Sequence, residues 1–215
     1  TIILYVDDIL VLSKEAKDID RLIEALSKEY EEVSVERGKK FTYLGMGVTV
    51  NDDYSIELSM VKYIDDVMQT YLEGDSLEIR KYTTPSNDSL FDKPTGEELD
   101  VSRAKLFHTV VAMLLYLCKR TRNDIQLPTL FLCTRVKQPL ESDELKLRRV
   151  LGYLLLTRLK PRIIKCTVPE MSQIVAYVDA SFAVHYDAKG HTGMVLMFQG
   201  CVIDSECGKQ KIATK

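Results

Sequence analysis

Two carboxylates stand side by side at Asp7 and Asp8, in the string Tyr5-Val6-Asp7-Asp8, with apolar runs at 2–4 and 9–12 on either side. Apolar run, acidic pair, apolar run reads as a tight β-hairpin whose tip offers hard oxygen ligands to a divalent cation. Two carboxylates about 4 Å apart repel by roughly 4 kcal/mol at an effective dielectric of 20, so such a tip is stable when it stays wet or captures a cation. The plain alternative is a polar turn. A further acidic residue, Asp179, follows the apolar run 174–178 and is either a ligand at a strand end or a solvated carboxylate. His185 and His191 lie close to it in sequence, which invites a metal or acid–base role. The residues favour a simpler one, in which His191-Thr192-Gly193 shapes a turn through side-chain hydrogen bonds. His108, on the apolar stripe of a helix, reads as a core residue.

The elements that must position these groups follow from periodicity. Ser13 is placed to cap a helix over 14–30, whose Ile19, Leu22, Ile23 and Leu26 form a stripe that should pack on a sheet. Strands are predicted at 33–35, 42–50 and 54–58, the last two joined at Asn51-Asp52-Asp53. Helical spacing resumes over 60–72, and 78–96 is a loop or linker by composition. Three helices follow, over 102–119, 122–137 and 142–157, the middle one interrupted at Pro128. A final set of strands is predicted at 163–168, 174–178, 194–198 and 201–204, with a turn at Gln199-Gly200.

Composition sets outer limits. With 215 residues, 46% hydrophobic and 28% charged, the chain can bury one large or two smaller cores. No apolar stretch approaches the roughly 20 uninterrupted residues of a membrane helix, and no signal segment opens the chain, so a soluble intracellular protein without a membrane partner is expected. The chain opens at Thr1 inside a strand pattern, which reads as a cut fragment. Five cysteines, without the close pairs of zinc sites, read as reduced thiols. Charge is divided: residues 1–100 hold 11 Lys/Arg against 23 Asp/Glu, whereas 101–215 hold 18 against 9, a net +9. The excess concentrates between Lys119 and Lys165, including Arg148 and Arg149, and reads either as a track for phosphates or as the solvated faces of helices.

Tyr5-Val6-Asp7-Asp8 followed by Ile9-Leu10-Val11-Leu12 resembles the catalytic hairpin of reverse transcriptases. Later strings match, in order, those of copia-type retrotransposon polymerases. They are Phe41-Thr42-Tyr43-Leu44-Gly45-Met46, Leu114-Leu115-Tyr116-Leu117, Thr121-Arg122-Asn123-Asp124-Ile125 and Arg149-Val150-Leu151-Gly152-Tyr153-Leu154. Val178-Asp179-Ala180-Ser181-Phe182-Ala183, His191-Thr192-Gly193 and Lys209-Gln210-Lys211 complete the series. Their collinearity over essentially the whole chain makes it similar to an internal fragment of a copia-type Pol polyprotein, in the reverse transcriptase and RNase H region. Asn123 stands where the family usually has Pro, and Ser205-Glu206-Cys207-Gly208 replaces a run richer in Ser and Thr.

The resemblance implies an α+β fold: the C-terminal part of a reverse transcriptase palm (β-hairpin, helix, strands) over 1–59, a helical thumb-like bundle over 60–160, and the first strands of an RNase H-like domain over 161–215. It implies an RNA-directed DNA polymerase with ribonuclease H in the parent element. Asp7 and Asp8 would be metal ligands of the polymerase site and Asp179 the first carboxylate of the RNase H site, each site using two Mg2+ ions, with Mn2+ as a substitute. Tyr5 and Val6 would lie beside the primer end and template, and Tyr43, Leu44 and Gly45 in the segment that grips the primer backbone. From the residues alone, that segment reads equally as a β-bulge. Implied partners are an RNA template, a DNA primer, the RNA–DNA hybrid, dNTPs and the rest of the Pol polyprotein, in a cytoplasmic virus-like particle and the nucleus. The family's remaining carboxylates come from upstream of Thr1 and downstream of Lys215, so the fragment alone is expected to be inactive. Asp187 and Asp204 match no catalytic position and read as loop carboxylates. The competing reading is a non-catalytic nucleic-acid-binding remnant of a transposon.

Overall fold

A computed structural model describes residues 1–74 and 78–212. The chain opens with a hairpin, β1 (Ile2–Tyr5) and β2 (Asp8–Val11), in the register Ile2↔Val11 to Tyr5↔Asp8, which leaves Val6 and Asp7 as a two-residue turn. Helix α1 (Ala16–Glu29) starts later than Ser13 suggests. The Ser13 hydroxyl accepts from the Glu15 N–H at 3.2 Å and donates to Asp18 at 2.9 Å, so it orders the turn before the helix instead of capping it. Ile19, Leu22, Ile23 and Leu26 share a face but are only half-buried, and α1 buries none of its residues. The stripe is therefore only half covered, and α1 makes no extensive packing on a sheet among the described residues.

The 33–35 segment is irregular rather than a strand. Short β-branched runs form strands only where a neighbour supplies hydrogen bonds, and among the described residues no strand pairs with this one. The predicted strand over 42–50 is two strands, β3 (Lys40–Tyr43) and β4 (Met46–Val50), folded back at Leu44 and Gly45. β5 (Ile56–Ser59) pairs with β4 beyond the Asn51–Asp53 turn. The fourth strand of this sheet, β6 (Arg162–Ile164), arrives from beyond the helices and pairs Ile56↔Ile164 and Leu58↔Arg162. The start of the segment expected to open the final strand set thus belongs to this four-stranded sheet, and Lys165 adds an ion pair to Asp53 at 2.9 Å, while the N–H groups of Thr167 and Val168 donate to the Gln199 carbonyl of the last sheet's turn.

Between β5 and β6 lie α2 (Val61–Gly74), α3 (Val101–Arg120), α4 (Gln126–Cys133) and α5 (Glu141–Leu156). Asp100 caps α3 by accepting from the N–H groups of Ser102 and Arg103, which satisfies two donors that have no intrahelical partner. With 20 residues, α3 has the length and composition of a membrane span, against the sequence-based expectation. Its apolar face instead forms the centre of the core: Phe107, Val110, Val111, Leu114 and Leu117 are all buried. His108 lies one residue around from Phe107 and is exposed, which corrects its assignment to the core. Leu147, Leu151 and Leu154 of α5 meet this face, and each fully buried leucine contributes about 1.5–3 kcal/mol relative to exposure. The predicted helix over 122–137 is a 3-10 turn (Asn123–Ile125) followed by α4, with Pro128 in the first turn of α4. There its missing N–H costs no hydrogen bond, so it starts a helix instead of interrupting one.

The last sheet is antiparallel, in the order β7 (Ile174–Ser181), β8 (His191–Phe198), β9 (Cys201–Lys209). β9 rests on α4. Gln126 Nε2 donates to the Ser205 carbonyl at 2.7 Å, the Ser205 hydroxyl donates to Gln126 Oε1 at 2.8 Å, and Asn123 Nδ2 donates to the same hydroxyl at 2.7 Å. β7 is the outer strand, and its Ile174, Tyr177 and Val178 are exposed.

Candidate functional site

Asp7 and Asp8 occupy adjacent positions at the tip of the β1–β2 hairpin, Asp7 in the turn and Asp8 opposite Tyr5. Both are exposed, and neither side chain has a hydrogen bond or ion pair among the described residues. Val6, at φ 52°, takes the left-handed conformation that a two-residue hairpin turn asks of glycine. For a β-branched side chain this costs on the order of 1–3 kcal/mol, and strain of this kind concentrates at functional positions. Tyr5 and Val6 project beside the carboxylates, 54% and 79% exposed. The pair suits a hard divalent cation in ligand type. It supplies two oxygen-donor side chains, and among the described residues no group of three or more His, Cys, Asp or Glu is placed to hold a metal.

A second two-residue turn joins β3 to β4, with positive φ at Leu44 (50°) and Gly45 (73°). It is a hairpin turn and not a bulge. Gly45 serves it by conformation, since a Cβ there would meet nothing within 4 Å, and Gly47 would meet only an ordinary contact to Ser59 at 3.7 Å. The Leu44 carbonyl accepts a hydrogen bond from Tyr116 of α3 at 3.1 Å, and the Tyr43 hydroxyl is buried without a partner.

Asp179 pairs with Gly193 inside β7, which runs on to Ser181, so it is an exposed residue within a strand and not at its end. Asp204 is in β9 and accepts from the Ser205 N–H at 2.8 Å. Asp187 is held by Lys209 at 2.8 Å. His191, Thr192 and Gly193 open β8, and the His191 side chain ties that strand to the preceding loop, as expected from the sequence. His185 Nε2 lies 3.1 Å from His191 Nδ1, both rings are buried, and they pack against Phe91 and Phe131. Burial, with Lys209 nearby, pushes His185 down to about 4, and burial lowers His191 as well.

The basic residues of the second half do not form one continuous track. Arg122 is buried and forks onto Asp124, with both contacts at 2.9 Å. Arg135 is tied to the buried Asp143, Arg158 to Asp65, and Lys119 to Glu206. Burial opposes ionisation of Asp124, yet hydrogen bonds from Arg122 and Tyr153 hold its carboxyl below the ordinary range. Arg148 donates to the Tyr71 hydroxyl at 2.7 Å and lies 3.9 Å from Glu144.

Arg149 is different. It faces a groove of about 540 Å³ between α5 and the 78–95 segment, lined also by Arg80, Lys93 and Lys146. Arg80 and Lys93 were not distinguishable from linker residues in the sequence. The signal that could have found Arg80 is the aromatic set among cations in Arg80-Lys81-Tyr82, three residues into a segment otherwise rich in Thr, Ser, Pro and Asn; nothing around Lys93 marks it.

Among known proteins, the chain is similar to one of Saccharomyces cerevisiae whose name assigns it provisionally to transposon Ty5-1. The two are 27% identical over 192 residues, which cover 89% of this chain. The chain spans 60% of the length of that curated relative. The likeness supports a transposon-related origin. No family model and no solved structure matches the chain.

Proposed function

We propose that the chain is part of an RNA-directed DNA polymerase with ribonuclease H from a copia-type retrotransposon, whose parent protein copies RNA into DNA by two-metal nucleotidyl transfer. The observation that carries this reading is the acidic hairpin tip: adjacent, exposed carboxylates without partners among the described residues, beside a strained Val6. Bound Mg2+ ions supply Lewis acidity toward the primer hydroxyl and the leaving pyrophosphate in such chemistry. Asp7 and Asp8 would hold part of that cation pair, and Tyr5 and Val6 would flank the primer end. The Leu44–Gly45 turn would lie against the primer backbone, braced by Tyr116. Asp179 would serve the hybrid-cleaving site, and Arg148 and Arg149 the nucleic-acid track. RNA template, DNA primer and dNTPs are the substrates on this reading.

Because the described residues bring only two carboxylates to the tip, the chain by itself is expected to be inactive. Primer extension and hybrid cleavage, with Mg2+ or Mn2+, should be absent in this chain and present in one extended at both ends. Extension by the longer chain should fall by at least about 100-fold in Asp7→Asn, given the weight of charge stabilisation in such sites. A longer chain without either activity would sink the polymerase reading. It would favour the competing one, a non-catalytic nucleic-acid-binding remnant, for which the net +9 of residues 101–215 speaks.

A further inference from the structure

The groove beside α5 is built by a close approach of backbone to helix. A Cβ on Gly152 would lie 1.9 Å from the Arg80 carbonyl oxygen and 2.8 Å from the Tyr82 ring, so only glycine lets the 80–82 segment lie against α5. The Tyr82 N–H donates to the Gly152 carbonyl at 3.3 Å and fixes that approach. One turn earlier on α5, the Arg149 guanidinium lies 4.6 Å from the centre of the Tyr82 ring and donates to the Thr84 hydroxyl at 2.8 Å. Arg80 lies 5.7 Å from the same ring. Lys93 and Lys146 add to the cationic lining, as does Arg148, which is engaged by Tyr71 and Glu144.

None of Arg80, Lys93, Lys146 and Arg149 forms an ion pair among the described residues, and Arg149 Nε is buried without an acceptor. Burial also lowers the pKa of Lys146. Among the described residues, Glu78 and Asp92 are the carboxylates that line the groove. Cations gathered in a concave site repel one another and gain from an anion that presents several oxygens, and guanidinium forks match phosphate oxygens in pairs.

We propose that this groove binds the phosphodiester backbone of a nucleic-acid strand, as a second contact remote from the Leu44–Gly45 turn. It rests on the reading that the chain handles nucleic acid. The separation follows from α3: Arg103 pairs with Glu144 near the groove, whereas Tyr116 holds Leu44. Those two α3 residues are about 20 Å apart at 1.5 Å per residue, the length of roughly six nucleotides at 3.4 Å each.

The test is fluorescence anisotropy of a short labelled single-stranded DNA titrated with this chain over a range of salt. Arg80→Glu with Lys93→Glu should weaken binding at least about tenfold and lower the salt slope by about two. Lys17→Glu with Lys28→Glu, an equal charge change on exposed positions of α1, should leave affinity within about twofold. Arg149→Lys keeps the charge and loses the fork, and should weaken binding about threefold with the slope unchanged. Equal losses from both double variants, or none from the groove pair, would overturn the proposal. So would displacement of the DNA by polyglutamate or inorganic tripolyphosphate as readily as by unlabelled DNA of the same charge. Should the groove pair fail to fold, unaltered binding in Arg149→Lys decides against it. Failed primer extension in the longer chain would leave this binding result standing, so the two readings fail separately.

Discussion

His185 Nε2 and His191 Nδ1 meet at 3.1 Å in the seam between the last sheet and the helices, under the rings of Phe91 and Phe131. Two imidazoles in that contact are joined by one proton; a second would place like charges together in an apolar seam. Lys209 and Lys189 also face the pair and disfavour a charge on His185, while Asp187 favours one.

Because the folded value of His185 is lowered from 6.5 to about 4, the unfolded chain takes up the proton first as pH falls. Its contribution to stability is complete above pH 6.5 and is lost progressively between 6.5 and about 4. The loss should be on the order of 2–3 kcal/mol. Urea unfolding followed across this range should show the decline, and His185→Phe should flatten it. An equal slope in wild type and variant would assign the acid sensitivity elsewhere.

Val6→Gly should stabilise the chain. Glycine takes the φ of 52° without the penalty borne by valine, and a gain of about 1 kcal/mol is expected after the extra entropy of glycine in the unfolded state. Denaturation midpoints measure it; a loss of stability would mean that the turn carries no strain.

Gly152→Ala should destabilise by about 2–3 kcal/mol or detach the 80–82 segment, because its methyl group would overlap the Arg80 carbonyl. Amide exchange at Tyr82, whose N–H bonds to Gly152, reports the detachment directly. Protection equal to that of wild type would contradict the geometry.

Ser205→Ala strands Gln126 Oε1 and Asn123 Nδ2 at the seam between β9 and α4. Leaving buried polar groups unpaired costs about 1–3 kcal/mol. Asn123→Ala in the same background should add little further loss, since its partner is already gone, and a double-mutant cycle measures that coupling.

Some of this was legible because local chemistry decides it. The register of β1 with β2 follows from apolar runs around a polar tip, and the core face of α3 from spacing at three and four residues. Other readings failed where the deciding atoms lie far along the chain. Of the segment expected as a strand over 163–168, the start joined β5 as part of β6, while the N–H groups of Thr167 and Val168 donate to the Gln199 carbonyl at the turn of the last sheet, because pairing depends on which edge is left open. His108 looked like a core residue by composition, yet one step of helix rotation carries it outward. Part of the basic run proved to be ion-paired, because Asp65, Asp124, Asp143 and Glu206 lie within reach of Arg158, Arg122, Arg135 and Lys119.

By itself, then, the order of residues determined the adjacent carboxylates at Asp7 and Asp8, the flanking runs that fold them onto one tip, and the division of charge between halves. Neighbour-to-neighbour spacing suffices for these, because turn and helix periodicities act over a few residues. Only the tertiary structure decided which cations stay unpaired, that Gly152 admits Arg80 and Tyr82 onto α5, and that two histidines close the seam against Phe91 and Phe131. Those outcomes depend on contacts between residues tens of positions apart, and they are set by packing, desolvation and the geometry of close approach.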